Sequence, residues 1–198
     1  MKLVVGLGNP GKRYARTRHN VGWRVAERFA DDCGLRIDCD AHGGRFGRGS
    51  LRCGDRALEV GVLEPQDFMN LSGDAVAEAL AELPIEDVRS DLLVVFDDVD
   101  LPFGRLRLRP GGGAGGHRGL THIIERLGRD DFPRLRFGVG RGPAGSDTAA
   151  WVLESFSPDE EAALPALVAR AAQALVSALC DGIGPAMNLW NRSEDCPA

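Results

Sequence analysis

Leu3-Val4-Val5 runs straight into Gly6-Leu7-Gly8-Asn9-Pro10-Gly11, and Thr17-Arg18-His19-Asn20 follows just before a helical pattern opens at Val21. An apolar strand, a backbone almost free of side chains, an Asn and a His are gathered at one sheet edge, where open α/β sheets place their ligands. The glycines match G-x-G-x-x-G, so a dinucleotide site is weighed first. That fingerprint needs its third glycine to open the next helix, with the pyrophosphate on the helix N-terminus. Here the next 3.6-residue apolar stripe, Val21, Val25 and Phe29, starts ten residues after Gly11, with His19 or Asn20 as its cap. Lys12, Arg13, Tyr14, Arg16 and Arg18 fill the gap, a loop suited to meeting an anion through side chains. No nucleotide cofactor is expected.

Outward from this stretch, strands and helices alternate. Strands are expected near residues 2 to 7, 45 to 53, 56 to 63, 92 to 96, 104 to 109 and 135 to 139, the second and third joined by a Gly54-Asp55 turn. Helices are expected near 20 to 32, 73 to 83, 117 to 127 and 159 to 180. One hairpin inserted in an alternating order argues for an α/β fold: a single domain with a twisted, mixed, mostly parallel central sheet and helices on both faces. The domain is read over residues 1–190, with a short, poorly ordered C-terminal tail at 191–198.

At 198 residues and 43% hydrophobic, the chain can bury one good core. No apolar run reaches the roughly 18 to 20 residues of a membrane span, and the N-terminus is a strand rather than a signal peptide, so a cytoplasmic protein without a membrane partner is expected. Cys33, Cys39, Cys53, Cys180 and Cys196 form no C-x-x-C pair, and they read as reduced, scattered thiols that signal neither a disulfide framework nor a zinc site. The net charge of −5 argues against nonspecific coating of nucleic acid. Locally, however, Arg105, Arg107 and Arg109 alternate with Leu106 and Leu108, which puts the cations on one sheet face, either as a solvated surface or as a phosphate track.

Three later segments carry polar residues that packing alone does not ask for. In Phe68-Met69-Asn70-Leu71-Ser72-Gly73, Asn70 or Ser72 could simply be an N-cap, and Phe68 and Met69 read as core when taken alone. Asp97, Asp98 and Asp100 follow a fully apolar strand; carboxylates there orient a histidine, hold a metal or make a turn, and metal is the weaker reading. The run Gly111-Gly112-Gly113-Ala114-Gly115-Gly116-His117-Arg118-Gly119 leads into a helix but lacks the G-K-[ST] of a P-loop.

Together, GLGNPG with Tyr14, TRHNVGW around His19, FMNLSG, FDDVDLPFGRLRLR and GGGAGGHRGL closely resemble the bacterial peptidyl-tRNA hydrolase family, in its order and spacing. The resemblance implies a hydrolase, monomeric, without metal or organic cofactor and without an obligate protein partner, that cleaves the ester between a peptide and tRNA. By position it makes His19 the catalytic base and Asp97 its orienting carboxylate, with Asn9 and Asn70 beside them. It makes Tyr14, Phe68, Met69, Asn70, His117 and Arg118 the substrate contacts. Arg105, Arg107, Arg109 and Arg136 are expected to meet tRNA phosphates.

The residue types suit that reaction. A neutral histidine can take a proton from water, a buried Asp fixes its tautomer, and the absence of G-x-S-x-G favours direct attack by water. Asn70 is the candidate donor to the developing oxyanion, and Asn9 could bond an amide carbonyl and so favour a blocked α-amine. Two departures from the family's pattern stand out. Arg118 replaces an asparagine, and Glu64-Pro65-Gln66-Asp67 brings two acids where the family has Lys-Pro-x-Thr. These favour a second reading, a catalytically weakened RNA-binding relative of the same fold.

Overall fold

The computed structural model describes residues 1–192. Seven strands form one sheet: β1 (Lys2–Gly6), β2 (Cys39–Ala41), β3 (Gly44–Cys53), β4 (Arg56–Pro65), β5 (Leu92–Asp98), β6 (Leu106–Arg109) and β7 (Arg134–Gly138), in the order β2-β3-β4-β1-β5-β7-β6. The centre, β4-β1-β5-β7, is parallel, and antiparallel pairs close both edges. The helices are α1 (Val21–Asp32), α2 (Ser72–Glu82), α3 (Val88–Asp91), α4 (Arg118–Leu127), α5 (Thr148–Val152), α6 (Pro158–Cys180) and α7 (Ile183–Trp190).

Every residue of β5 is buried, as expected of a central strand covered on both faces. The two-residue period splits the core. Val4, Leu93, Val95, Leu135 and Phe137 pack under α1 and α6, while Leu3, Val5, Leu7, Val94 and Phe96 pack under α2 and α4. The N-terminus of α1 lies almost on the sheet: a Cβ on Gly22 would sit 2.5 Å from the carbonyl oxygens of Leu7 and Val95, and one on Gly6 would sit 2.6 Å from that of Gly22. Only glycine allows this approach, which sets the turn before α1 against the C-terminal ends of β1 and β5.

Several expectations need correction. Asn20 stands at the N-cap of α1 without capping it, and neither Asn70 nor Ser72 caps α2; each helix grows out of a 3-10 turn, Arg18–Asn20 and Met69–Leu71. The Ser72 hydroxyl donates to the Met69 carbonyl, and the Gly73 N–H is taken by His122 Nδ1 at 3.0 Å. By length and composition α6 would qualify as a membrane span, contrary to the reading from sequence; in the fold, Leu164, Val168, Ala171, Leu175 and Leu179 are buried in the α1 side of the core.

Cys53 and Cys180 are not scattered thiols but a disulfide, Cα atoms 5.4 Å apart across 127 residues of sequence. Cys33 and Cys39 are free, and Cys196 lies outside the described residues. Asn191, which the sequence reading puts in the tail, is hydrogen-bonded to β6 through the N–H and C=O of Leu108; residues 193–198 of that tail lie outside the described residues.

Candidate active site

The loop after β1 is held by two asparagines. Asn20 clasps the backbone of Asn9, accepting its N–H at 3.0 Å and donating to its C=O at 2.9 Å. The side-chain oxygen of Asn9 then accepts the Met69 N–H at 2.8 Å, so its amide nitrogen is the group left for a ligand. The loop after β4 is thereby tied to the loop after β1.

Asp97, at the end of β5, is 3% exposed and holds two histidines on one oxygen: His19 Nδ1 at 2.8 Å and His117 Nε2 at 3.0 Å from Oδ1. Burial by itself raises the Asp97 pKa, but the two imidazoles outweigh it and hold the carboxyl well below the usual range, so it is ionised. The partners fix both tautomers. His117 Nδ1 accepts the Leu120 N–H of α4 at 3.2 Å, so its proton is on Nε2 and is given to Asp97. His19 gives Asp97 its Nδ1 proton, which leaves a lone pair on Nε2. Of the two rings, only His19 therefore keeps a nitrogen able to take a proton.

These groups line a cleft of about 940 Å³ with Tyr14, Phe68, Met69, Asn70, Arg109, Arg118 and Arg136. Phe68 is 51% exposed, and Tyr14 meets its ring edge-on. Met69 is buried; a Cβ on Gly119 would sit 2.5 Å from its sulfur. The Asn70 amide has no hydrogen-bond partner among the described residues, and Arg118 is exposed at the start of α4. His19, Asp97 and His117 have donor atoms within 4.8 Å of one another and could hold a metal, but only by giving up the hydrogen bonds just described.

The arginines separate. In β6 and β7, Arg107 pairs with Arg136 and Arg109 with Arg134, all four on the face away from Leu106, Leu108 and Phe137. Arg109 and Arg136 line the cleft; Arg107 is exposed beside it; Arg105 instead donates to the Asn191 carbonyl at 2.8 Å. Arg136 is paired with Asp98.

Arg134 is 2% exposed and donates to the carbonyls of Gly112, Gly113, Asp130 and Phe132. Burial lowers its pKa to about 10, which leaves it a cation that shapes the glycine loop. Gly112, Gly115 and Gly116 in that loop have φ of +124°, +58° and +80°, a backbone only glycine adopts freely. Glu64, expected at a charged rim, is 0% exposed with its pKa raised to about 8, so it offers the substrate no anion. The roles of Asn20, Arg18 and Arg134 are the ones that sequence reasoning missed: Asn20 was read as a helix cap and instead clasps Asn9, and Arg18, read as part of a loop meeting an anion, is 3% exposed.

A family profile described as peptidyl-tRNA hydrolase matches residues 3–197. The peptidyl-tRNA hydrolase of Chloroflexus aggregans is 47% identical over 191 residues, 96% of this chain and 99% of the relative. That of Symbiobacterium thermophilum is 48% identical over 190 residues, 96% and 98%. Among solved structures, a peptidyl-tRNA hydrolase in complex with N-propanol superposes with a TM-score of 0.87 at 33% identity, covering 99% of this chain and 97% of its own. The Acinetobacter baumannii enzyme gives 0.85 at 34%, covering 96% and 94%. On fold, sequence and extent alike, this chain belongs to the peptidyl-tRNA hydrolase family.

Proposed function

We propose that this chain cleaves the ester between a peptide, or an N-blocked amino acid, and tRNA with His19 as general base. The observation that carries the assignment is the pair of tautomers at Asp97. The Leu120 N–H occupies the second nitrogen of His117, whereas His19 Nε2 is left with a lone pair at the cleft. His19 takes a proton from water as the water oxygen bonds to the ester carbonyl carbon. Ionised Asp97 then stabilises the imidazolium. As the tetrahedral intermediate collapses, the C–O bond to the ribose breaks and the imidazolium returns the proton to that oxygen.

Asn70, whose amide is uncommitted, donates to the oxyanion, where a single such donor is worth roughly 3 to 4 kcal/mol in other enzymes. Asn9, its oxygen spent on Met69, offers its N–H to a substrate carbonyl and so favours an acylated amine over a free ammonium. Tyr14, Phe68 and Met69 line the way in, and Arg118 offers a cation to a carbonyl or phosphate.

Arg109 and Arg136 at the cleft, with Arg107 beside them, meet tRNA phosphates, and Arg105 contributes least because Asn191 holds it. The enzyme acts as a monomer in the cytoplasm, where its substrate is made. The pair of histidines held on Asp97 Oδ1, with His19 Nε2 left for water, speaks against a weakened RNA-binding relative. Incubation with N-acetylated and with free aminoacyl-tRNA tests the reading: the first should be cleaved and the second spared. Binding of both without cleavage of either would establish the RNA-binding relative instead.

A further inference from the structure

Arg18 immediately precedes the proposed base and is 3% exposed, which is unusual for an arginine away from any bound anion. Its guanidinium lies 3.5 Å above the Trp151 ring of α5, a cation–π stack. It donates to the Ser155 carbonyl at 2.9 Å and to Glu160 Oε2 at 2.9 Å. That same carboxylate oxygen accepts the Ser157 N–H in the capping box of α6. The Arg18 backbone N–H goes to the Glu154 carbonyl, and Thr17 bridges Ser155. The 3-10 turn that carries His19 is therefore fastened at one side chain to α5, to the segment after it and to the start of α6. In the same α5 segment, Asp147, Thr148, Ala149, Val152 and Leu153 form a wall of the cleft.

On the reading that His19 is the base, we infer that Arg18 is a positioning residue. It fixes the His19 ring relative to the α5 wall, so that Nε2 faces the water between them. Stability alone does not account for the arrangement. A buried ion pair is often no more stabilising than a packed apolar side chain of similar volume, and Arg18 keeps a buried Nε–H with no hydrogen-bond partner. What an apolar side chain could not supply is the planar fork that meets the Ser155 carbonyl and Glu160 while stacking on Trp151. Glu160, freed of Arg18, would still hold Ser157.

The test compares Arg18→Lys and Arg18→Met with the wild type for kcat, KM, tRNA binding and the His19 Nδ1 proton resonance. Misplacing a base by about 1 Å can cost on the order of 100-fold, so Arg18→Met should lower kcat 10- to 100-fold. The tRNA dissociation constant should stay within twofold, because the arginines of β6 and β7 are untouched. Arg18→Lys, which keeps the charge and reaches the Ser155 carbonyl, should recover part of kcat. The Nδ1 proton shared with Asp97 should shift or broaden in Arg18→Met. A kcat within twofold of wild type, or a fall in kcat with an unshifted Nδ1 proton, would overturn the inference. Unaltered turnover in a folded His19→Ala variant would instead overturn the assignment of the base, while the resonance would still report whether Arg18 holds the ring. Should Arg18→Met fail to fold, Arg18→Lys alone decides, by the same resonance and the same split between kcat and tRNA binding.

Discussion

Glu64→Gln should make the protein progressively more stable than wild type as the pH rises from about 5 to 9. The Glu64 side chain is fully buried, its Oε1 has no hydrogen-bond partner, and its Oε2 meets Arg45 at 3.0 Å. Burial, with Glu27 nearby, pushes its pKa from 4.5 to about 8 against the weaker pull of Arg45. The native state thus keeps a proton that the unfolded chain gives up. That contribution is complete below about pH 4.5 and is lost as the pH rises through about 8. The span of 8 − 4.5 = 3.5 units, at 1.36 kcal/mol each, sets a ceiling of about 5 kcal/mol. Water entering beside the part-exposed Arg45 reduces it, so the expected gain is roughly 2 to 4 kcal/mol. Glutamine keeps the shape and cannot ionise. Urea unfolding followed by circular dichroism at pH 5, 7 and 9 measures the gap between the two proteins. Parallel curves across that range would show that Glu64 ionises freely and that the reasoning is wrong. Hydrolysis should be unaffected, because Glu64 does not line the cleft.

His19→Ala should lower turnover by about 10²- to 10⁴-fold with tRNA binding nearly intact, whereas His117→Ala, which removes a brace of Asp97 rather than the base, should cost less; the reverse ranking in steady-state kinetics would exchange their roles. Arg107→Ala should reduce the slope of log binding constant against log salt by somewhat under one unit, and Arg105→Ala by less. Equal slopes for both variants and wild type would remove this face from the tRNA contact. Cys53→Ser should lower the thermal midpoint, since in a chain-entropy account closing a loop of this length is worth about 4 to 5 kcal/mol. Coincident melting of variant and wild type, each with and without reductant, would refute that. Arg118→Asn should weaken tRNA binding and steepen the fall of activity with salt; a gain in kcat at unchanged KM would mean that the arginine impairs catalysis.

What the sequence shows well is whatever periodicity writes locally. The β1 run, the Val21, Val25 and Phe29 stripe and the Leu92–Phe96 run each declare an element, and Gly54-Asp55 declares the hairpin. Four elements escaped: β2 has three residues, α3 four and α5 five, while α7 carries Gly184 and Pro185 in its first turn, where they are tolerated although they read as breakers. Cys53 and Cys180 could not be matched because they meet only once α6 has run the length of the domain. At the site, residue types announced His19, Asp97 and Asn9, but not which histidine is free. That depends on the Leu120 N–H, a backbone group with no signature in sequence. Charge misled at Glu64 and Arg18, because the sequence names an ionisable group without saying that the fold buries it.

How a chain of net charge −5 can grip a polyanion follows from the register of β6 and β7. The period that buries Leu106 and Leu108 sets Arg107 across from Arg136 and Arg109 across from Arg134, two consecutive cross-strand pairs of like charge. Such pairs destabilise a sheet when nothing lies between them. Only half of this charge is answered from within: Asp98 takes Arg136, and carbonyl oxygens take Arg134. Arg107 and Arg109 have no partner among the described residues. Repulsion left in the free sheet is relieved when phosphate enters, so it adds to binding rather than to folding. Arg107→Ala should then stabilise the free protein slightly even as it weakens its hold on tRNA. Arg134→Ala, which orphans the carbonyls of the glycine loop, should destabilise the protein. Opposite signs for two arginines on one face are what separates a cation held for the ligand from one held for the fold.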